Sequence, residues 1–259
     1  MSALRLVTAL PAAARAGGRI ALTGATALGA AARLRRLDRG EPAALRRERA
    51  LFLRDLFRRV AALHGVELHG EGVMPVGPAL LASNHVSYLD PIAVGSLVPC
   101  VPISKLDVSA WPVIGGFARD LGVLFVDRGN GHSGMRVLRD AARTLADGVS
   151  ILNFPEGTTT SGDRVLRFRE GLFAIARSAG VPVVPVAVSY DPPDLAWVGA
   201  QTFLPHYLRL AGSARARAHV RFGAPLAPRA FGSPAALAVA AREAVASLLG
   251  GSDVPARSA

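Results

Sequence analysis

Three polar clusters interrupt an otherwise apolar chain, and each follows a short apolar run. They are Asn84-His85-Val86-Ser87-Tyr88-Leu89-Asp90, Val126-Asp127-Arg128, and Phe154-Pro155-Glu156-Gly157-Thr158-Thr159-Thr160. In the first, His85 and Asp90 are the residue types of a general base and its orienting carboxylate. A neutral imidazole takes a proton at one nitrogen, while the carboxylate holds the other N–H and stabilises the imidazolium that develops. Four intervening residues allow that contact if the segment turns into a helix. Asp90-Pro91 also reads as a helix cap followed by Pro at the first helical position, which is the plain structural alternative for Asp90. No G-x-S-x-G elbow and no nearby cysteine offers a protein nucleophile, so His85 has to activate a hydroxyl brought by a substrate. In the second cluster, Arg128 can fork onto phosphate oxygens; its alternative is a surface arginine paired with Asp127. In the third, Gly157 lets the backbone approach a ligand, Thr158 to Thr160 supply hydroxyls, and Glu156 is suited to binding substrate hydroxyls. An ordinary strand-to-helix turn is the alternative there. Arg167 and Arg169 add positive charge just downstream.

The elements that must position these clusters are short. Pro78–Ala82, Leu121–Val126 and Val149–Phe154 read as buried strands, and sites in open α/β sheets gather beyond the carboxyl ends of strands. Val181–Ser189 is a longer β-branched strand, in which Pro182 and Pro185 imply an edge, a bulge or a strand end. Arg215–Phe222 alternates strictly, with Ala216, Ala218, Val220 and Phe222 on the face expected to be buried. Helices fall between the strands: one capped by Ser133 and stopped by Gly148, one over Glu170–Ala179 stopped by Gly180, and one from Ser233-Pro234 to near Gly250. This alternation predicts an α/β domain with a largely parallel sheet over residues 65–250, and a frayed tail over 251–259.

Composition narrows the partners. The 259 residues carry a net charge of +11, are 51% apolar and contain one cysteine, which excludes a disulfide framework and a thiolate zinc site. Residues 1–64 hold 13 arginines against four acids, which is most of the excess. Within them Ile20–Ala32 is uncharged but too short to span a bilayer, which takes roughly 20 apolar residues. Leu45–Leu63 reads as a basic amphipathic helix. The expectation is a segment lying on a membrane; a helix packed on the core with a solvated arginine face is the alternative. A cleaved leader at Leu6–Ala14 is disfavoured by Pro11 and by the arginines that follow. His64 and His69 are five apart with no third ligand, and are read as structural. Trp111 and Trp197 fit either a membrane interface or the core.

Taken together, these residues resemble the glycerolipid acyltransferase family, and within it the bacterial 1-acylglycerol-3-phosphate acyltransferases. The family's N-H-x-S-x-x-D is met by Asn84, His85, Ser87 and Asp90, its apolar run ending in Asp-Arg by Val123–Arg128, its F-P-E-G-T by Phe154–Thr158, and its V-P-x-x-P-V by Val181–Val186. The resemblance covers about residues 50–232. It implies His85 as general base, Asp90 as its partner, and direct attack of a glycerol hydroxyl on a thioester of acyl carrier protein or coenzyme A. It further implies glycerol phosphate bound by Arg128 with Glu156, Gly157 and Thr158, a basic position at Lys105, and Pro185 on the acyl-chain side. No metal or organic cofactor is implied. The lipid substrates and the basic N-terminus together suggest a peripheral enzyme on the cytoplasmic face of the inner membrane.

Two rivals stand beside this reading. Gln201–His206, followed by the basic strand and Phe222-Gly223, resembles family members that acylate lyso-ornithine lipid, an acceptor without glycerol phosphate. A non-catalytic membrane-binding protein would also explain the N-terminus, and intact His85 and Asp90 argue against it. Nucleic-acid binding is disfavoured by an aromatic content of 6% and by charge confined to one end.

Overall fold

The computed structural model describes residues 11–34, 41–110, 114–127, 129, 131–197 and 202–250. Arg128, Trp111, Gln201, most of the Leu6–Ala14 stretch and the tail after Gly250 therefore lie outside the described residues. The chain opens with two helices, α1 (Ala12–Leu34) and α2 (Pro42–Leu63), followed by β1 (Val66–Gly72) and β2 (Leu80–Ser83). Then come α3 (Asp90–Leu97), β3 (Cys100–Lys105), α4 (Ile114–Asp120), β4 (Leu124–Val126), α5 (Gly131–Ala146) and β5 (Ser150–Asn153). The last third holds α6 (Gly171–Ala179), β6 (Val183–Asp191), α7 (Phe203–Gly212), β7 (Ala216–Phe222) and α8 (Pro234–Gly250).

The strands form one sheet in the order β1-β7-β6-β2-β5-β3-β4. From β6 to β4 every pairing is parallel, so five strands end at the same rim. β7 runs antiparallel to β6 and β1 runs parallel to β7. The expected, largely parallel α/β sheet is therefore present, with two reversed strands at one side. Neither β1 nor β3 is evident in the sequence. β1 carries Gly70, Gly72 and mostly exposed residues, and β3 contains Pro102, so neither offers a β-branched run.

The central strands β2 and β5 are buried throughout, as their unbroken apolar runs require. One face packs Leu81, Val184, Val186 and Val188 with Ala93 and Val94 of α3. The other packs Leu80, Ala82, Val183 and Ala187 with residues of α5, α6 and α8. β7 shows the expected alternation, with Ala216, Ala218, Val220 and Phe222 buried. Gly180 ends α6 with φ +68, and its N–H returns to the Ala176 and Arg177 carbonyls, the left-handed stop read from the sequence.

The N-terminal helices pack on the sheet layer. α2 turns Ala50, Leu53, Leu56 and Ala61 inward, and Phe57 lies so close to Gly95 of α3 that a Cβ there would meet the ring at 2.6 Å. Its apolar face is thus taken by protein. α1 joins the same small core through Ala30 and Leu34. Two of its arginines are anchors: Arg15 Nε donates to the Gly212 carbonyl at 2.9 Å, and buried Arg19 donates to Ala211 (3.1 Å) and Ser213 (2.7 Å). Both satisfy carbonyls at the C-terminus of α7, where a helix leaves acceptors unpaired and favours cations. Among the described residues no helix is long and apolar enough to cross a membrane.

Candidate active site

The five parallel strands bring the loops that follow them to one rim. Immediately after β2, the chain turns through Asn84–Leu89 into α3, with Asp90 N–H donating to the Ser87 carbonyl at 3.1 Å. Asn84 fastens this turn to β6: its amide donates to the Val188 carbonyl (2.9 Å), and its carbonyl accepts the Val188 N–H (2.7 Å). The side chain continues the β2–β6 pairing past the end of β2.

Asp90 does not cap its own helix. Its carboxylate points back over the turn, where Oδ2 accepts from His85 Nδ1 (2.7 Å), Val86 N–H (2.7 Å) and Ser87 N–H (2.9 Å). Oδ1 accepts the Tyr190 hydroxyl at 2.8 Å. Asp90 is fully buried, so an anion there requires this full set of donors. An acceptor-only carboxylate fixes the proton on His85 Nδ1, which leaves the lone pair of the neutral ring on Nε2. The ring stacks on Phe154 with centroids 4.3 Å apart, and it lines a large cavity.

The main chain of His85 is held from the third cluster. Its N–H donates to Glu156 Oε1 (2.8 Å) and its carbonyl accepts Thr160 N–H (2.8 Å). Glu156 Oε2 accepts the Leu166 N–H at 2.8 Å. Both oxygens of this buried carboxylate are thus engaged by amides, and its placement is that of a brace between loops. Burial pushes its pKa up, against the opposing pull of the Leu166 and His85 N–H groups.

Gly157 adopts φ +76, and a Cβ there would come 2.9 Å from Arg169 Nε. Its backbone form and its lack of a side chain let the Arg169 guanidinium lie over the turn. Arg169, Gly157, Thr158 and Lys105 line the same cavity as His85. Lys105 ends β3 and pairs with Asp107. Pro185 is elsewhere. It shares the face of Val183 and Ala187, opposite Val186, Val188 and Tyr190, and its Cβ would sit 3.5 Å from a Cβ on Gly223, near Leu248 of α8. Pro185 was expected on the acyl-chain side; it does not line the cavity that holds His85. A proline fits an interior strand here because the β6–β7 ladder begins only at Val186, and the Pro185 carbonyl still accepts Gly223 N–H at 2.9 Å.

The cavity measures about 1120 Å³. From His85 it runs beneath α2, between apolar residues such as Leu53, Leu56, Phe117, Leu121, Phe125 and Val137. A second wall is aromatic: Tyr88, Trp197, Phe203 and Tyr207. Tyr88 and buried His206 are hydrogen-bonded at 2.9 Å, and burial pushes the Tyr88 phenol well up. His64, read from sequence as structural, is buried between the Val60 carbonyl (3.0 Å) and the Tyr207 hydroxyl (3.1 Å). His69 is apart from it, stacked on His219 across the β1–β7 pair.

The sequence reading overlooked Tyr190. A signal was present: Val184, Val186 and Val188 form a period-two apolar stripe, and Tyr190 ends it with a hydroxyl.

The acyltransferase family model matches residues 65–189, which run from β1 into β6 and hold His85, Asp90 and Glu156, with Tyr190 just beyond. A lyso-ornithine lipid O-acyltransferase of Pseudomonas aeruginosa is 37% identical over 202 residues, covering 76% of this chain and 78% of the relative. The chain belongs to the acyltransferase family. A second lyso-ornithine lipid O-acyltransferase, from Brucella abortus, is 33% identical over 65% of this chain and 70% of its own. The 1-acyl-sn-glycerol-3-phosphate acyltransferase of Neisseria meningitidis serogroup B is 35% identical over 61% of each chain. In fold, this acyltransferase resembles the crystal structure of the 1-acyl-sn-glycerophosphate acyltransferase of Thermotoga maritima, with a TM-score of 0.61, 23% identity and 87% of both chains covered.

Proposed function

We propose that this acyltransferase esterifies the free hydroxyl of a lysolipid with an acyl group from a thioester of acyl carrier protein or coenzyme A. The observation that carries the proposal is a half-buried His85 paired with a buried Asp90 beside a long apolar cavity. His85 Nε2 takes the hydroxyl proton as the oxygen attacks the thioester carbonyl. Asp90 steadies the positive charge that develops on the ring. The C–O bond forms, the C–S bond breaks, and the proton passes from His85 to the departing thiolate. No acyl-enzyme is formed, and an activated thioester calls for no cofactor. The apolar cavity suits an acyl chain, whose transfer from water contributes about 0.8 kcal/mol per CH₂.

Two acceptors fit. The lyso-ornithine lipid relatives match more of this chain, and at the highest of the quoted identities, which favours that acceptor. An ornithine headgroup offers a carboxylate to Arg169 and Lys105. Lysophosphatidate is the second reading, favoured by the four motifs in register; Arg128, with Arg169 and Lys105, then receives the phosphate, and Thr158 and Gly157 border it. Residues 1–64 serve as the seat of the 65–250 domain on the cytoplasmic leaflet. Because α2 buries its apolar face, the bilayer contact falls to α1, where Leu28 is 72% exposed and Leu22 is 47% exposed. Leu28→Glu is expected to weaken flotation with anionic liposomes; flotation equal to that of the parent removes α1 from the contact.

The test is acyl transfer in detergent micelles, with both acceptors and both donors in parallel and His85→Ala as the control. Product from lyso-ornithine lipid, lost in His85→Ala, is the expected result. Product from lysophosphatidate alone reverses the acceptor assignment. No product from either acceptor, or a His85→Ala variant as active as the parent, overturns the proposal.

A further inference from the structure

The Asp90 carboxylate is held by main-chain N–H groups on one oxygen only. Val86 and Ser87 donate to Oδ2, the oxygen that also meets His85. Among the described residues, the donor to Oδ1 is the Tyr190 hydroxyl, at 2.8 Å. Tyr190 belongs to β6, a hundred residues further along the chain, and is 9% exposed. Two residues earlier in the same strand, Val188 exchanges two hydrogen bonds with Asn84, accepting one and donating the other. One strand therefore grips the turn at both its ends, at Asn84 before His85 and at Asp90 after it.

We propose that Tyr190 is a positioning residue for the His85–Asp90 pair. Its hydroxyl holds Oδ1, so that rotation of the carboxylate is blocked and Oδ2 stays aimed at His85 Nδ1. It also draws charge from the carboxylate, which limits how strongly Asp90 favours the imidazolium. Burial and the Asp90 charge both keep this phenol protonated, so it remains a donor across the working pH range. The ring's position in the apolar stripe of β6 is supplied equally by phenylalanine. The hydroxyl alone is thus separable from the packing.

The inference rests on the general-base reading of His85, and the experiment keeps the two apart. Tyr190→Phe is compared with the parent in three measurements: thermal stability, the pH dependence of kcat/KM, and the downfield proton resonance of the His85 Nδ1–H, which requires no turnover. The titratable and charged groups facing the pair are Glu156 from the loop after β5, Tyr88 at the turn before α3, and Arg169 beyond Gly157; all are unchanged in the variant. Loss of a hydrogen bond to a charged acceptor is expected to lower kcat/KM about tenfold or more. With more charge left on Asp90, the acidic limb of the profile is expected to move to higher pH by about half a unit to one unit. The Nδ1–H resonance is expected to shift or broaden. In an Asp90→Asn background, removing the hydroxyl is expected to cost less activity than in the parent, because the hydrogen bond then lost is a neutral one. Parent-like kcat/KM, an unmoved acidic limb and an unmoved resonance in Tyr190→Phe overturn the inference. If His85→Ala proves as active as the parent, the general-base reading falls, and the resonance still decides whether Tyr190 holds the pair.

Discussion

Replacing Asp90 with asparagine tests how the pair works, because the structure dictates which way the amide faces. Three donors converge on Oδ2: His85 Nδ1, Val86 N–H and Ser87 N–H. An NH₂ group at that position would leave two buried main-chain donors unpaired, at about 1–3 kcal/mol each. The amide oxygen therefore takes the Oδ2 place. The NH₂ takes the Oδ1 place, where the Tyr190 hydroxyl can accept a hydrogen bond instead of donating one. His85 keeps its Nδ1–H tautomer, and what disappears is the negative charge. A hydrogen bond to a charged acceptor contributes about 1.5–3 kcal/mol against about 0.5–1.5 for a neutral one. Two unit charges about 4 Å apart attract by about 4 kcal/mol at an effective dielectric of 20. The loss in the transition state then lies between about 1.5 and 4 kcal/mol, or about 10- to 1000-fold in kcat. The assay is acyl transfer in micelles, run beside a thermal melt and beside His85→Ala. Asp90→Asn is expected to stay folded and to retain activity clearly above His85→Ala. Activity as low as that of His85→Ala, with the fold intact, would mean that the amide has flipped and that the two main-chain donors do not set its orientation. Activity equal to that of the parent would mean that the charge has no part in the reaction.

Two further predictions follow from buried titratable groups. Glu156→Gln turns an NH₂ toward either the His85 or the Leu166 amide, so stability is expected to fall by about 1–3 kcal/mol and kcat by about an order of magnitude as His85 loses its brace. Burial raises the Glu156 pKa, so the native state takes up this proton before the unfolded chain does; the stability of the parent relative to the variant is then expected to decline as pH rises from the unfolded value through the raised one, and urea melts at several pH values check the sign. His64 is held neutral: burial lowers its pKa, aided by Arg19 and opposed by the Val60 carbonyl. The stability it contributes is present above its unfolded value and lost as pH falls below it, so melts between about pH 6.5 and 5 are expected to drop more steeply for the parent than for His64→Gln, and equal slopes would refute the assignment.

What the sequence revealed, and what it hid, follows from the range of the interactions involved. Buried parallel strands carry unbroken apolar runs, so β2, β5 and β6 were legible, as were the glycine stops after α5 and α6. Strand β1 was hidden because its pairing with β7 supplies what its Gly-containing, mostly exposed residues do not. The helices before it divided. The pattern of α2 showed that one face must be buried, but periodicity does not say whether protein or lipid buries it, and here protein does. In the sequence the arginines of α1 count only toward the basic excess of residues 1–64, yet Arg15 and Arg19 close the end of a helix nearly 200 residues away. At the site, His85 and Asp90 are four residues of turn apart and could be paired on paper. Glu156 and Pro185 were assigned substrate roles on paper, but which amides meet Glu156 and which sheet face carries Pro185 are set by tertiary structure.

Tyr190 marks the boundary most clearly. Everything local to the turn, from Asn84 to Asp90, can make a histidine meet a carboxylate, but local structure satisfies one carboxylate oxygen and leaves the other to a neighbouring strand. The parallel order of β6 beside β2 puts that strand's end at the same rim, with Ser83 opposite Val186, so the residues just beyond each strand end face one another. β5, on the other side of β2, delivers Phe154 beneath the ring and Glu156 against its main chain. The imidazole is therefore fixed from three adjacent strands at once, which gives a reacting nitrogen a defined position before any substrate arrives. Preorganisation of this kind is what lets a base act without reorganising at the moment of reaction. It also explains why the groups around the imidazole lie so far apart along the chain: the loops after β2 and β5 and the end of β6 meet through sheet order and not through sequence order.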